Sequence, residues 1–318
     1  MILSCGEALI DMLPRTSTGG EACFAPYAGG AVFNTAIALG RLGVPSGFFS
    51  GLSTDLLGQL LADTLTASQV DLSLAVRNGR PTTVAFVKLT NGNATYAFYD
   101  ENTAGRMLTA ANLPALPTTI NALFFGGISL VNDPAASTYE ALQAREAPAR
   151  VTMIDPNFRA AFIDAQDSLT PGTKARYMAR VDRMLARADI VKLADEEIHK
   201  IYRADDLAAF ARDLLAPGSD HGPKVIFITE GSKGARAITA TQDRFIPATP
   251  VTVADTVGAG DTFNAGVMTA LHRAGLLSKP AIAGLSADAL DAALTLGTRA
   301  AAITVSRPGA NPPWAHEL

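Results

Sequence analysis

The chain has 318 residues, of which 48% are apolar and 18% charged, with a formal charge of −4. This suffices for one large α/β domain with an appendage, or for two modest domains, and the acidic balance without a Lys/Arg-rich run argues against a nucleic-acid surface. Two cysteines (Cys5, Cys23) without a CxxC pair and four scattered histidines (His199, His221, His272, His316) give neither a disulfide framework nor a metal-ligand set.

In chain order, Met1-Ile2-Leu3-Ser4-Cys5-Gly6 reads as a strand without a basic n-region, and no membrane span follows, so a cytoplasmic location is expected. Asp11 follows an apolar strand and is placed either to accept hydrogen bonds from vicinal hydroxyls or to cap a turn. In Ala28-Gly29-Gly30-Ala31-Val32-Phe33-Asn34 the paired glycines admit a ligand close to the backbone, and Asn34 offers donors and an acceptor to a polyol; a structural Gly-Gly turn before a helix is the other reading. Residues 82–89 and 94–99 are β-rich and joined by Thr90-Asn91-Gly92-Asn93, a hairpin signal. With residues 12–28 this hairpin forms a small sheet covering a site, unless it is an ordinary edge of the main sheet.

Buried parallel strands are predicted at 120–125, 151–154, 189–193 and 225–229, separated by amphipathic helices at 135–145, 173–187 and 204–215, with Ala-rich helices at 281–303. The alternation implies a doubly wound α/β sheet whose ligands sit beyond the carboxyl ends of its strands. Near the end comes Asp255-Thr256-Val257-Gly258-Ala259-Gly260-Asp261, leading into a helix-compatible run to Met268. Its glycines let successive N–H groups converge on an oxyanion, assisted by the next helix's first turn. A carboxylate there makes sense as a general base aimed at a substrate hydroxyl, or as a simple N-cap. No Walker A loop occurs, and a dinucleotide fingerprint would need glycine where Phe263 stands.

The Gly29-Gly30 to Gly43 segment and the Asp255 to Met268 segment, in this order, closely resemble the two signatures of the ribokinase-like, or PfkB, carbohydrate kinases. The resemblance spans almost the whole chain. It implies a three-layer α-β-α sandwich with a small β-sheet lid: residues 1–11, 29–79 and 107–318 as the large domain, 12–28 and 80–106 as the lid. It implies Asp261 as catalytic base, the amides of Gly258, Ala259 and Gly260 as the anion hole for the γ-phosphate, and Asp11, Gly29, Gly30 and Asn34 as sugar contacts. Asp155-Pro156-Asn157-Phe158-Arg159 resembles the segment bringing Asn157 and Arg159 to sugar and phosphates; a surface Arg–Asp pair is the alternative for Arg159.

The resemblance places Lys192, Thr229, Gly231 and Gly234 with the nucleotide, which is ATP with Mg2+; Glu197 acts on the magnesium indirectly, and a monovalent cation, usually K+, sits beside Asp255. The family's Asn-x-x-Glu appears as Ala194-Asp195-Glu196-Glu197, and Glu230 stands where an apolar residue is expected. Residues 80–87 and 98–108, with Phe98 as a wall for a hexose or as lid core, are most similar to bacterial fructokinases. The acceptor implied is D-fructose. A 2-keto-3-deoxygluconate kinase, its carboxylate held by Arg106 or Arg159, and a non-catalytic sugar-binding regulator are the alternatives, and a homodimer is expected.

Overall fold

A computed structural model of the chain describes residues 1–90, 93–215 and 222–318. Five apolar runs, Ile2–Cys5, Ala122–Gly126, Val151–Asp155, Ile190–Ala194 and Val225–Thr229, lie side by side at the centre of a nine-stranded sheet. They are buried almost without interruption, because helices cover both faces of the sheet. Across the sheet the order is Asp243–Pro247, Gly234–Ile238, Val225–Thr229, Ile190–Ala194, Val151–Asp155, Ala122–Gly126, Ile2–Cys5, Ser46–Phe49, Val70–Asp71. The two strands at the Asp243 edge are antiparallel additions, and the others run parallel. The four later strands read from the sequence are present, shifted by no more than two residues.

The helices Ala135–Glu146, Thr173–Leu185 and Leu207–Leu215 stand where the amphipathic segments were expected. One apolar layer gathers Phe33, Phe48, Phe124, Phe263 and Leu294; the other gathers Phe125, Tyr139, Ile154, Tyr177 and Val191. The Ala-rich stretch folds as Lys279–Ala283 and Ala287–Val305, and the longer helix crosses Ala259–Arg273 in close contact. At the crossing a Cβ on Gly266 would fall 2.6 Å from the Gly297 Cα, and one on Gly297 would fall 2.8 Å from the Phe263 ring. Only glycines allow this approach.

The 82–99 hairpin is not an edge of the main sheet. It belongs to a separate four-stranded sheet ordered Ala22–Gly29, Leu9–Thr16, Val84–Thr90, Asn93–Tyr99; its Asn91-Gly92 turn lies outside the described residues. Strand Leu9–Thr16 pairs antiparallel with Ala22–Gly29 and parallel with Val84–Thr90. Period-two alternation sorts the two faces. Asp11, Tyr27, Ala85 and Phe98 are cross-strand neighbours on one. Met12, Phe24, Phe86 and Tyr99 share the other, where the Phe86 ring meets those of Phe24 at 5.0 Å and Tyr99 at 5.6 Å. Among the described residues no helix is long and apolar enough to cross a membrane.

Candidate active site

Beyond the carboxyl ends of the parallel strands, the loop from Asp255 meets the start of helix Ala259–Arg273. Gly258 precedes this helix at φ 78°, a conformation that favours glycine, and a Cβ there would fall 2.8 Å from the Ala310 Cβ. Asp255 pins the loop, accepting the Val257 amide at 3.0 Å and the Gly309 amide at 2.9 Å. The Ala259 amide donates to the Thr256 carbonyl at 3.3 Å, whereas those of Gly260 and Asp261 find no acceptor among the described residues. These are the orphan donors of a helix N-terminus, an anion-binding end. Gly260, lacking a side chain, leaves the Lys192 ammonium close: a Cβ would sit 3.1 Å from its Nζ.

Asp261 is no N-cap, since Gly258 occupies that position and the Asp261 carboxylate bonds outside its own helix. Its Oδ2 accepts the Asn34 side-chain amide at 2.9 Å, and its Oδ1 accepts that of Asn157 at 3.4 Å. Only 5% of the residue is exposed. Burial pushes its pKa up to about 7, against the Asn34 hydrogen bond and the charges of Arg159 and Lys192, while Asp155 adds to the rise. A carboxylate so poised is half ionised near neutrality, the condition a general base needs.

Beneath it lies a buried charge cluster. Lys192 Nζ bonds Asp155 Oδ2 at 3.1 Å, and the Asn264 amide reaches the same oxygen at 2.7 Å. Burial depresses the Lys192 pKa, but Asp155 and Glu197 more than offset this and raise it. Glu197 spends both oxygens on backbone, accepting from Phe158 and Ala194 amides at 2.8 Å each. It therefore clamps the 155–159 turn, in which Asn157 takes a left-handed φ of 46°.

On the small-sheet side, Gly29 lies against Asp11: a Cβ on it would meet Asp11 Oδ2 at 2.6 Å. Burial lifts the Asp11 carboxyl to about 6, partly countered by Arg159. Arg159 itself is exposed and makes no ion pair within 4.0 Å among the described residues, so the surface Arg–Asp pair is not seen. Phe98 packs edge-on against Phe162, centroids 4.5 Å apart, at the first turn of the helix following Arg159. Arg106 faces Asp100 at 4.0 Å.

Elsewhere along the strand ends, Thr229 closes its strand and Gly231, at φ 54°, has open space where a side chain would be. Gly234 has a packing reason for being glycine, because a Cβ would strike the Ile246 carbonyl at 2.1 Å. Glu230 is taken up by Arg236 at 3.4 Å. Lys192 lies under the 258–261 cradle, not on the 229–234 turn.

The sequence reading did not single out Glu7, Thr35 or Asn264. Thr35 Oγ1 reaches the Asp261 carbonyl at 3.3 Å. Asn264 lies three residues from Asp261, hence on the same helix face, and that spacing was a usable signal. Glu7 follows the end of a parallel strand, where ligands of such sheets gather.

The profile of the pfkB family carbohydrate kinases matches residues 1–317. A fructokinase of Rhizobium leguminosarum bv. trifolii is 52% identical over 290 residues, covering 91% of this chain and 85% of that relative. A fructokinase of Klebsiella pneumoniae is 32% identical over 275 residues, covering 85% and 84%. In structure, the Xylella fastidiosa fructokinase with bound ATP superposes with a TM-score of 0.81 at 25% identity, covering 97% of this chain and 93% of that one. With these matches over nearly its whole length, the chain belongs to the pfkB family of carbohydrate kinases.

Proposed function

We propose that this sugar kinase is an ATP-dependent fructokinase, converting D-fructose and ATP to D-fructose 6-phosphate and ADP. The observation that carries the reaction is the buried Asp261 carboxylate, tuned to about 7, at the mouth of the Gly258–Gly260 cradle. Fructose is supported by the relatives, which are fructokinases at 52% and 32% identity. Of the two arginines that could hold a sugar-acid carboxylate, Arg106 faces Asp100, and this reading gives Arg159 to the transferring phosphate. Retention of Asp261 in its cradle disfavours a non-catalytic regulator.

In this reading Asp11, Gly29, Gly30, Asn34 and Asn157 hold the sugar hydroxyls, and Phe98 forms a wall of the pocket. Asp261 takes the proton of the attacking hydroxyl as the new O–P bond forms to the γ-phosphorus and the bond to the bridging oxygen breaks, releasing ADP. The amides of Gly258, Ala259 and Gly260 receive the transferring group's charge, with Arg159 as a second donor. The Ala259 contribution requires its weak bond to Thr256 to open. Thr229, Gly231 and Gly234 flank the nucleotide, and Lys192 adds positive potential from beneath.

No group of three or more His, Cys, Asp or Glu that could hold a metal gathers among the described residues. In this reading Mg2+ would arrive on ATP and would screen the phosphate charge there. Glu197, both oxygens engaged, fits an indirect role through water. Asp255 likewise has both oxygens on amides, so it would order the loop beside a K+ ion. Residues 12–28 and 80–106 would act as a lid, set against a body of 1–11, 29–79 and 107–318. The outer face of the small sheet is apolar, with Phe24 48% and Tyr99 63% exposed, and pairing of two such faces would give a homodimer. A cytoplasmic location accompanies this reading.

ADP release with Mg-ATP and K+ against D-fructose, 2-keto-3-deoxygluconate, D-ribose and adenosine tests the proposal. Fructose-selective turnover that falls by about two to four orders of magnitude in Asp261→Asn is expected. Near-normal turnover in that folded variant, or selectivity for another acceptor, overturns it.

A further inference from the structure

We infer that Glu7 is a positioning residue for the base, acting through the first turn of helix Ala31–Arg41 and Asn34. The inference rests on the reading of Asp261 as base. Helix Ala31–Arg41 starts at Gly30, which offers no side-chain cap, and its first turn carries no acidic residue of its own. Glu7, 24 residues upstream, fills that gap: its Oε1 accepts the Ala31 amide at 2.9 Å and the Val32 amide at 3.5 Å. A carboxylate at a helix N-terminus also answers the dipole. Its Oε2 accepts the Ser129 amide at 3.3 Å, tying the helix start to the turn after strand Ala122–Gly126.

The surroundings are shaped around this carboxylate. Gly30 and Gly127 both take left-handed φ, 113° and 68°. A Cβ on Gly30 would fall 3.0 Å from the Glu7 carbonyl, and one on Gly127 2.0 Å from Glu7 Oε1. Side chains at either position would expel the cap. Only 9% of Glu7 is exposed.

The same helical turn docks on the base. Asn34 closes the turn by donating its amide to the Gly30 carbonyl at 2.8 Å, and its side chain donates to Asp261 Oδ2 at 2.9 Å. Thr35 bonds both the Ala31 and Asp261 carbonyls. Glu7 thus sets the angle at which Asn34 meets Asp261, and this hydrogen bond is one of the effects holding the base's pKa down. The other charges facing Asp261 are Arg159, Asp155 and Lys192. The titratable groups near Glu7 are Asp100, Arg106 and Tyr139, which line the same small cavity, and Tyr177, which also feels its charge. None of these side chains hydrogen-bonds the Glu7 carboxylate, whose partners are the Ala31, Val32 and Ser129 amides.

The test is the pH profile of kcat/KM for fructose in Glu7→Gln. Glutamine keeps one acceptor for the helix but turns its NH2 towards the Ser129 amide, donor against donor. The acid limb, expected near 7 in the wild type from Asp261, should move up by about half a pH unit, giving a roughly threefold deficit near pH 6 that vanishes above about pH 9. Asn34→Ala should move the limb the same way, and Glu7→Gln added to it should shift it no further. An unmoved limb in folded Glu7→Gln, or a deficit equal at every pH, overturns the inference. If Glu7→Gln does not fold, Glu7→Asp, which keeps the charge but withdraws it by one methylene, carries the same comparison. Asp261→Asn run alongside separates the failures: turnover there overturns the base assignment, whereas a silent Asp261→Asn with unmoved Glu7 variants overturns only the role of Glu7.

Discussion

In the proposed site, Gly29→Ala should separate the sugar side from the phosphate side. The backbone at Gly29 lies outside the left-handed region, so alanine brings no torsional penalty. Its Cβ, however, would arrive 2.6 Å from Asp11 Oδ2, where ordinary contact begins near 3.4 Å. The carboxylate must withdraw by about 0.8 Å, enough to break a hydrogen bond from a bound hydroxyl. A hydrogen bond to a charged acceptor contributes roughly 1.5–3 kcal/mol, so the KM for fructose should rise about 10- to 100-fold. The KM for ATP should stay put, because Thr229 and Gly231 lie on another strand's loop. Initial rates of ADP release with either substrate varied, together with a thermal melt to establish folding, make the measurement. A fructose KM within about twofold of wild type in folded Gly29→Ala would refute the placement of Asp11 on the sugar, as would an equal rise in both KM values.

Asp261 has an ordinary pKa of 3.8 when unfolded and one pushed up to about 7 when folded, so the fold resists its charge; that penalty is absent below about pH 4 and complete above about pH 7. Asp261→Asn should therefore gain on the order of 2–4 kcal/mol at pH 8 and much less at pH 5, and melting shifts of equal size at both pH values would contradict this. Gly258→Ala combines a φ of 78° with a 2.8 Å approach to Ala310. It should lose about 1–3 kcal/mol of stability and lower kcat with little change in fructose KM, whereas an unaltered melt and kcat would show that the cradle tolerates a side chain. Lys192→Met strands the buried Asp155 and Glu197 and should destabilise by about 3–5 kcal/mol. Adding Asp155→Asn should recover part of it, and additive losses in the double variant would argue against a shared cluster.

The elements most legible in the sequence were those with local causes. The parallel strands read as continuous apolar runs because both faces of the sheet are covered, and the Asn91-Gly92 signal lay between two strands that do pair. Asp261 stood out because the glycines forming its cradle adjoin it in sequence. Partners joined by long-range contacts were less visible. Nothing local ties Asp155 to Lys192, 37 residues away, or to Asn264, 109 away, and Glu7 bonds a helix 24 residues downstream. Glycine is ambiguous for a related reason: Gly231 and Gly234 look alike as loop residues, yet one faces open space and the other a neighbouring carbonyl. The hairpin's membership in a separate sheet depends on Leu9–Thr16, a partner strand some seventy residues earlier.

The glycine crossing between Ala259–Arg273 and Ala287–Val305 has a consequence for how acceptor choice can change over evolutionary time. With backbone against backbone at Gly266 and Gly297, the helix bearing Asp261 has no slack to slide or roll. The proton acceptor proposed above is thus part of the molecule's fixed frame, along with the strands that hold Asp155 and Lys192. A change of acceptor would then fall to the separate four-stranded sheet carrying Asp11 and Phe98, whose side chains can be replaced without touching that crossing.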